Sequence, residues 1–230
     1  MKTIRTLALA ALLAPCAAPA AAQAATDQGT FRVYVEGREV GTEEFSIRQS
    51  GSGSSAEFVA TGRVSLRLPT GSLELTPRLR AAGVQADPTA YQVDVGGDSP
   101  RKIVGTIGEG RVSAKIVTAS GEQLREYVAS QGAVVLDEGV AHHYFFLAQR
   151  VRSGRVPVIV PRENRQVIAT VTDRGQESVQ IGSQAVMLYH LVVQPAGGGE
   201  QHVWVDALNR VLKVEIPQRG YLAVRTEIPR

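Results

Sequence analysis

Cysteine is almost missing from this chain: Cys16 is the single occurrence in 230 residues. One cysteine cannot form an internal disulfide, so no disulfide framework holds the fold together. Aromatic residues make up 5% of the chain and tryptophan occurs once. Histidine occurs four times, as an adjacent pair, His142 and His143, and as isolated His190 and His202. Neighbouring positions lie ~100° apart around a helix and do not share one ion as an i, i+4 pair does, so no metal-ligand spacing is present. The G-x-S-x-G elbow of serine hydrolases is absent. The glycine-rich run Ser50 to Ser55 is followed by neither a lysine nor a helix start, so it reads as a hairpin loop rather than a phosphate cradle. Charge of one sign is not concentrated anywhere, which argues against nucleic acid as a partner.

The chain opens on Lys2 and Arg5, a short apolar run from Leu7 to Ala14, and Ala22-Gln23-Ala24. This is the pattern of a secretory signal peptide cut after Ala24. The apolar run is far shorter than the ~20 residues that a membrane-spanning helix needs, and no later stretch is long and apolar enough to cross. Pro15 stands where a lipoprotein signal wants a small residue before its cysteine, so anchoring through Cys16 is disfavoured. The expected product is an exported, periplasmic protein, residues 25–230, that forms one β-rich domain without cysteine. Without Lys2 and Arg5 it carries 23 basic and 22 acidic residues.

Short alternating segments fill the rest. Phe31, Val33 and Val35 begin a hairpin that turns at Gly37 and returns through Val40 to Ile47. Phe58, Ala60, Val64, Leu66 and Leu68 share one parity. After Pro69-Thr70-Gly71, Leu73, Leu75 and Leu79 repeat the pattern. Strict alternation predicts one dry and one wet face. Pro88 and Pro100 are expected at strand ends, where a missing amide hydrogen does least harm. Further strands are expected over 91–95, 101–107, 111–118, 122–128, 155–160, 166–172 (turning at Asp173-Arg174-Gly175), 176–181, 201–206, 210–216 and 220–227. Ala185 to Val193, apolar at nearly every position, predicts a strand buried on both faces.

One stretch departs from period two. Val140, Tyr144, Leu147, Ala148 and Val151 lie on one helical face. Asp137 is placed to cap the start, and Gly154 to stop a helix over 138–153. The architecture expected is all-β and mainly antiparallel: a curved sheet or partly open barrel of about a dozen strands with one covering helix. Tyr144, Phe145 and Phe146 give that helix a broad apolar arc. The arc either plugs the core or lines a cavity; the candidate lining is Leu66, Leu68, Leu73, Leu75, Tyr144, Phe145, Leu147, Val151 and Trp204. The paired carboxylates Glu43-Glu44 and Asp137-Glu138 read as hairpin-face and helix-start charges. No catalytic residue, metal or cofactor is assigned.

Two stretches carry a resemblance. One is Leu136-Asp137, His143-Tyr144, Leu147-Ala148 and Gly154. The other is Val203-Trp204-Val205-Asp206 with Asn209-Arg210-Val211-Leu212-Lys213-Val214 and Pro217. With Gly37 and Gly41 in the first hairpin, they resemble the exported bacterial domain of unknown function 3108. The resemblance implies an antiparallel β protein of the envelope without established catalytic residues. Similar envelope folds, the half-barrels of lipoprotein-localisation factors, hold acyl chains under a helical lid. The expected function is therefore non-enzymatic binding of a lipid or other apolar ligand in the concavity of the sheet. The alternative is a structural or protein–protein module of an envelope complex, and a hydrolase without a sequence signature stands behind both.

Overall fold

The computed structural model describes residues 25–229, so the expected leader and Cys16 lie outside the described residues. Fifteen strands make one sheet. The first eight are β1 (Ala25–Val35), β2 (Arg38–Ser50), β3 (Glu57–Leu68), β4 (Gly71–Ala82), β5 (Asp87–Gly97), β6 (Arg101–Gly108), β7 (Arg111–Thr118) and β8 (Gly121–Val128). After β9 (Val134–Val135) comes the helix α1 (Tyr144–Arg150). The chain continues through β10 (Gly154–Val160), β11 (Arg165–Ile181), β12 (Gln184–Pro195), β13 (Gln201–Val205), β14 (Val211–Ile216) and β15 (Tyr221–Arg225). The spatial order runs from β8 down to β1, crosses to β15, and runs down to β9. The first and last strands thus lie side by side in the middle of the sheet, and β8 and β9 are its two edges.

Alternation sets the register. Across β3 and β4, Ala60 faces Leu79, Val64 faces Leu75 and Leu66 faces Leu73. Phe31, Ile47, Leu75 and Leu79 are completely or almost completely buried, each stabilising by roughly 1.5–3 kcal/mol relative to exposure. On the opposite face of β3 and β4, Thr61, Arg63, Arg67, Arg78 and Arg80 are exposed. Pro88 is the second residue of β5 and Pro100 precedes β6.

β9 and β10 are the one parallel pair among the described residues, Val134 opposite Val158 and Val135 opposite Ile159. Parallel neighbours need a crossover, and residues 136–153 supply it. This crossover brings the helix inside. Tyr144, Phe145, Phe146, Leu147 and Ala148 are all buried, in the same core cluster as the inner faces of β1 to β7. Phe146 meets Phe58 edge-on at 6.3 Å.

The helix is shorter than the periodicity predicts. Ala141–His143 form a single 3-10 turn, and regular helix spans Tyr144–Arg150 only. Gly139 adopts φ +71°, a left-handed conformation that breaks the helical path. Asp137 does not cap the helix, because its carboxylate is engaged elsewhere. At the other end Val151 is extended, at φ −152°. A second correction concerns Asp173 to Gly175, which form a bulge within β11 rather than a turn.

The segment 185–193 is buried on both faces only in its second half. Leu191 and Val193 join the main core, while Leu188 belongs to a second cluster with Ile181, Trp204 and Leu212. Met187 remains 57% exposed.

Candidate functional site

The inner face of β2 begins with a charge. Glu43 is in phase with Phe45 and Ile47, so it points inward and is completely buried. Its carboxylate accepts the backbone N–H of Ala141 at 2.7 Å and of His142 at 3.0 Å. These are early amides of the 3-10 turn that leads into α1, and amides at a helical start lack partners within the helix. The same carboxylate lies 2.6 Å from Nδ1 of His142. Because the carboxylate only accepts, Nδ1 carries the proton. The imidazole of His142 stacks on Phe45 at 5.3 Å with 4° between the planes.

Room for this ring comes from Gly62. A Cβ there would lie 2.8 Å from Cε1 of His142 and 3.3 Å from Pro77. Gly62 and Pro77 fall where pairing between β3 and β4 is interrupted, between Thr61–Arg78 and Val64–Leu75. An absent side chain and an absent amide hydrogen thus make a notch that receives His142.

A second anchor holds the segment before the 3-10 turn. The Tyr91 hydroxyl donates to Oδ2 of Asp137 at 2.5 Å, and Nε of Arg162 donates to Oδ1 at 2.8 Å. Burial, and then the neighbouring Asp137 charge, hold the Tyr91 phenol well above its ordinary pKa, so it stays a donor. The backbone N–H of Asp137 donates to Nδ1 of His143 at 3.2 Å. Burial first, then His142 and Arg162, push His143 well below its ordinary pKa. His143 is therefore neutral, with its proton on Nε2. The reading of Asp137 and Glu43 as surface charges is overturned: both are buried and organise the crossover.

Nε2 of His142 has no hydrogen-bond partner. The Glu43–His142 pair holds the backbone of the crossover in place. Among the described residues, no group of three or more His, Cys, Asp or Glu side chains could hold a metal ion.

The cavity best suited to a ligand lies beside the anchor. It has a volume of about 290 Å³ and is lined by residues of the crossover, β10, β11, β14 and β15. Val140, Tyr144, Val158, Val167 and Ile216 give it apolar walls, and Glu138, Glu163, Arg165, Gln201 and Arg219 supply its polar groups. The polar groups are paired. Arg219 bridges to Glu138, Arg165 to Glu163 at 2.5 Å, and the Tyr144 hydroxyl donates to Oε1 of Gln201 at 2.8 Å. A wider hollow of about 670 Å³ lies among residues 85–88, 107–110 and 129–133, but mainly turn residues line it.

Eight of the nine residues predicted as lining come together in one packed core, and Trp204 lies apart from them. Leu66, Leu75, Phe145 and Leu147 are packed into the core, with Leu68, Leu73 and Val151 partly buried against it. Tyr144 alone of the nine borders the cleft. Trp204 is separated from the others, in the second cluster. There His190 stacks on it at 4.5 Å, Lys213 Nζ lies 4.1 Å from the ring centroid, and its indole N–H donates to Glu177. His190 and His202 also meet there, Nε2 to Nδ1 at 2.9 Å. They are isolated in sequence and become neighbours because β12 pairs with β13.

No family model matches the chain, and no curated protein matches it. Among solved structures the chain is similar to a crystal structure of a β-barrel-like protein of domain of unknown function DUF1849 from Brucella abortus. The TM-score is 0.52 at 9% identity, over 86% of this chain and 93% of that one. At this identity the likeness is one of fold: a β-barrel-like domain of unknown function. It does not extend to domain of unknown function 3108. Among the described residues no helix is long and apolar enough to cross a membrane.

Proposed function

We propose that the protein is a non-enzymatic, periplasmic binding protein of the bacterial cell envelope that holds one small apolar or lipid-like ligand beside Tyr144. The observation that carries this reading is the cleft of about 290 Å³, whose walls are shared about equally between apolar side chains and polar groups, with Glu138, Glu163, Arg165 and Arg219 paired among themselves. Ligand pockets begin near ~300 Å³ and combine mostly apolar walls with a few placed polar groups. The concavity itself is no longer the proposed site, because α1 and Phe146 fill it. A volume this small favours a single-chain amphiphile over a diacyl lipid. Export, cleavage after Ala24 and kinship with domain of unknown function 3108 belong to the same reading, supported by the leader and by the residues that carry that resemblance.

Native mass spectrometry of protein purified from its own host tests the reading. An adduct released into organic solvent is the expected result. A ligand-free species with no extractable adduct counts against it. A second reading, a protein–protein module of an envelope complex, is favoured by one observation: β8 is a sheet edge exposed along most of its length.

A further inference from the structure

β8 pairs with β7 on one side and, among the described residues, with no strand on the other, although β11 comes close to it and Gln166 bonds Ser130 just beyond its end. Seven of its eight residues, all but Tyr127, are exposed. Leu124 is 76% and Val128 60% exposed. An edge strand of this length with apolar side chains in water is a template for a further strand.

The backbone on the open side can be identified. The amide of Ala129 donates to the carbonyl of Gly110, which extends the β7–β8 ladder by one pair. In an antiparallel ladder, bonded and non-bonded pairs alternate. Residues 121, 123, 125 and 127 are therefore bonded to β7, and Glu122, Leu124, Glu126 and Val128 turn their N–H and C=O outward. A side-chain nitrogen of Arg125 reaches the Leu124 carbonyl at 3.3 Å, in keeping with a carbonyl free of the ladder. The same four residues show one face of the strand, reading acidic, apolar, acidic, apolar.

Charge selects the partner. Opposite charges pair across neighbouring strands at this end of the sheet: Asp94 of β5 with Lys102 of β6 at 3.2 Å. Lys115 and Arg111 of β7 then pair with Glu122 and Glu126 of β8, at 2.6 and 3.8 Å. β8 presents Glu122 and Glu126 on its exposed face, and basic side chains on an added strand complement them. A second copy of the chain does not meet that need. Antiparallel self-pairing that places Leu124 against Leu124 sets Glu122 against Glu126. Raising the sum of the paired numbers by two sets Arg125 against Arg125, and lowering it by two leaves each Glu without a basic residue opposite. Like charges directly opposite are destabilising.

We infer that β8 is a docking edge for an extended segment of a partner protein in which basic and apolar residues alternate. The segment adds to the sheet as a further strand through the outward groups of Glu122, Leu124, Glu126 and Val128. This is β-strand addition, in which main-chain bonds supply affinity and alternate side chains supply specificity.

The test uses residues 25–230 and two capped peptides of equal composition, one alternating Lys and Val and the other with the same residues in blocks. Amide exchange by NMR and fluorescence anisotropy are read together. The alternating peptide is expected to slow exchange at residues 122, 124, 126 and 128 by about tenfold or more, and the block peptide to leave it unchanged. Leu124→Pro removes an outward N–H and spares the β7 ladder, since proline is tolerated at edges. It and the double variant Glu122→Gln, Glu126→Gln are each expected to weaken binding about tenfold or more, with little change in the unfolding midpoint, since exposed ion pairs contribute about 0–1 kcal/mol. Unchanged exchange at saturating peptide, equal binding of the block peptide, or full binding by correctly folded Leu124→Pro overturns the inference. So does a stable homodimer with protection confined to β8.

Discussion

Replacing Glu43 by alanine removes the acceptor for two backbone amides and one imidazole N–H, all inside the core. Leaving a buried donor unsatisfied costs about 1–3 kcal/mol. Three donors lose one acceptor together, and hydrogen bonds to a charged group are worth about 1.5–3 kcal/mol each. These figures describe overlapping losses, so the expected destabilisation is about 4 kcal/mol rather than their sum. For a chain of this size that is a fall in Tm of roughly 8–16 °C. Glu43→Gln keeps one carbonyl oxygen and is expected to fall between wild type and alanine. The control is Glu44→Ala, one residue along and exposed, expected within about 0.5 kcal/mol of wild type. Urea unfolding followed by circular dichroism and by the fluorescence of Trp204 gives the difference, and coincident transitions license a two-state analysis. Equal stability of the alanine variants at positions 43 and 44 refutes the role assigned to Glu43.

The depressed pKa of His143 makes stability depend on pH. The unfolded histidine takes up a proton near its ordinary 6.5 while the folded one does not. Stability is thus full above that value and falls as pH drops below it. Thermal unfolding between about pH 7.5 and 5 should show a slope that His143→Gln flattens; an unaltered slope assigns the effect to another group. Gly62→Ala drives a Cβ against His142 and is expected to cost about 1–3 kcal/mol, whereas Gly108→Ala, which meets nothing within 4 Å, serves as the neutral comparison in the same urea assay. Tyr91→Phe removes one of two side-chain donors to Asp137 and should cost about 1–2 kcal/mol, checked by the same unfolding curves.

Alternation made most of the sheet legible. Where every second residue is apolar, as from Phe58 to Leu66, period and register follow from one face being dry. The order of the sheet was not legible, since nothing local says that β1 lies beside β15. The helix was read too long because its apolar spacing continues through Val140 and Val151, while Gly139 and the demands of Asp137 and Val151 end it sooner. Glu43 was missed although its signal was present: it shares the parity of Phe45 and Ile47, which places a carboxylate inside unless the strand slips. Gly62 carried a similar sign, an empty position in the apolar register of β3. The cleft could not be read at all, because Tyr144, Arg165, Gln201 and Arg219 come together only through β-sheet order. Trp204 was placed in the candidate lining with the aromatics of the helix, whereas its place on β13 puts it in the second cluster, stacked on His190.

The central claim is that α1 fills the barrel and leaves binding to the cleft beside Tyr144. Titration of residues 25–230 with a single-chain fatty alcohol, followed by backbone and methyl chemical shifts, separates the two locations. Saturable shifts at Tyr144, Val158, Val167 and Ile216, with Leu66, Leu75 and Leu147 unmoved, are the predicted result. Shifts centred on Leu66, Leu75 and Leu147, with loss of protection at the amides of Ala141 and His142, would contradict it.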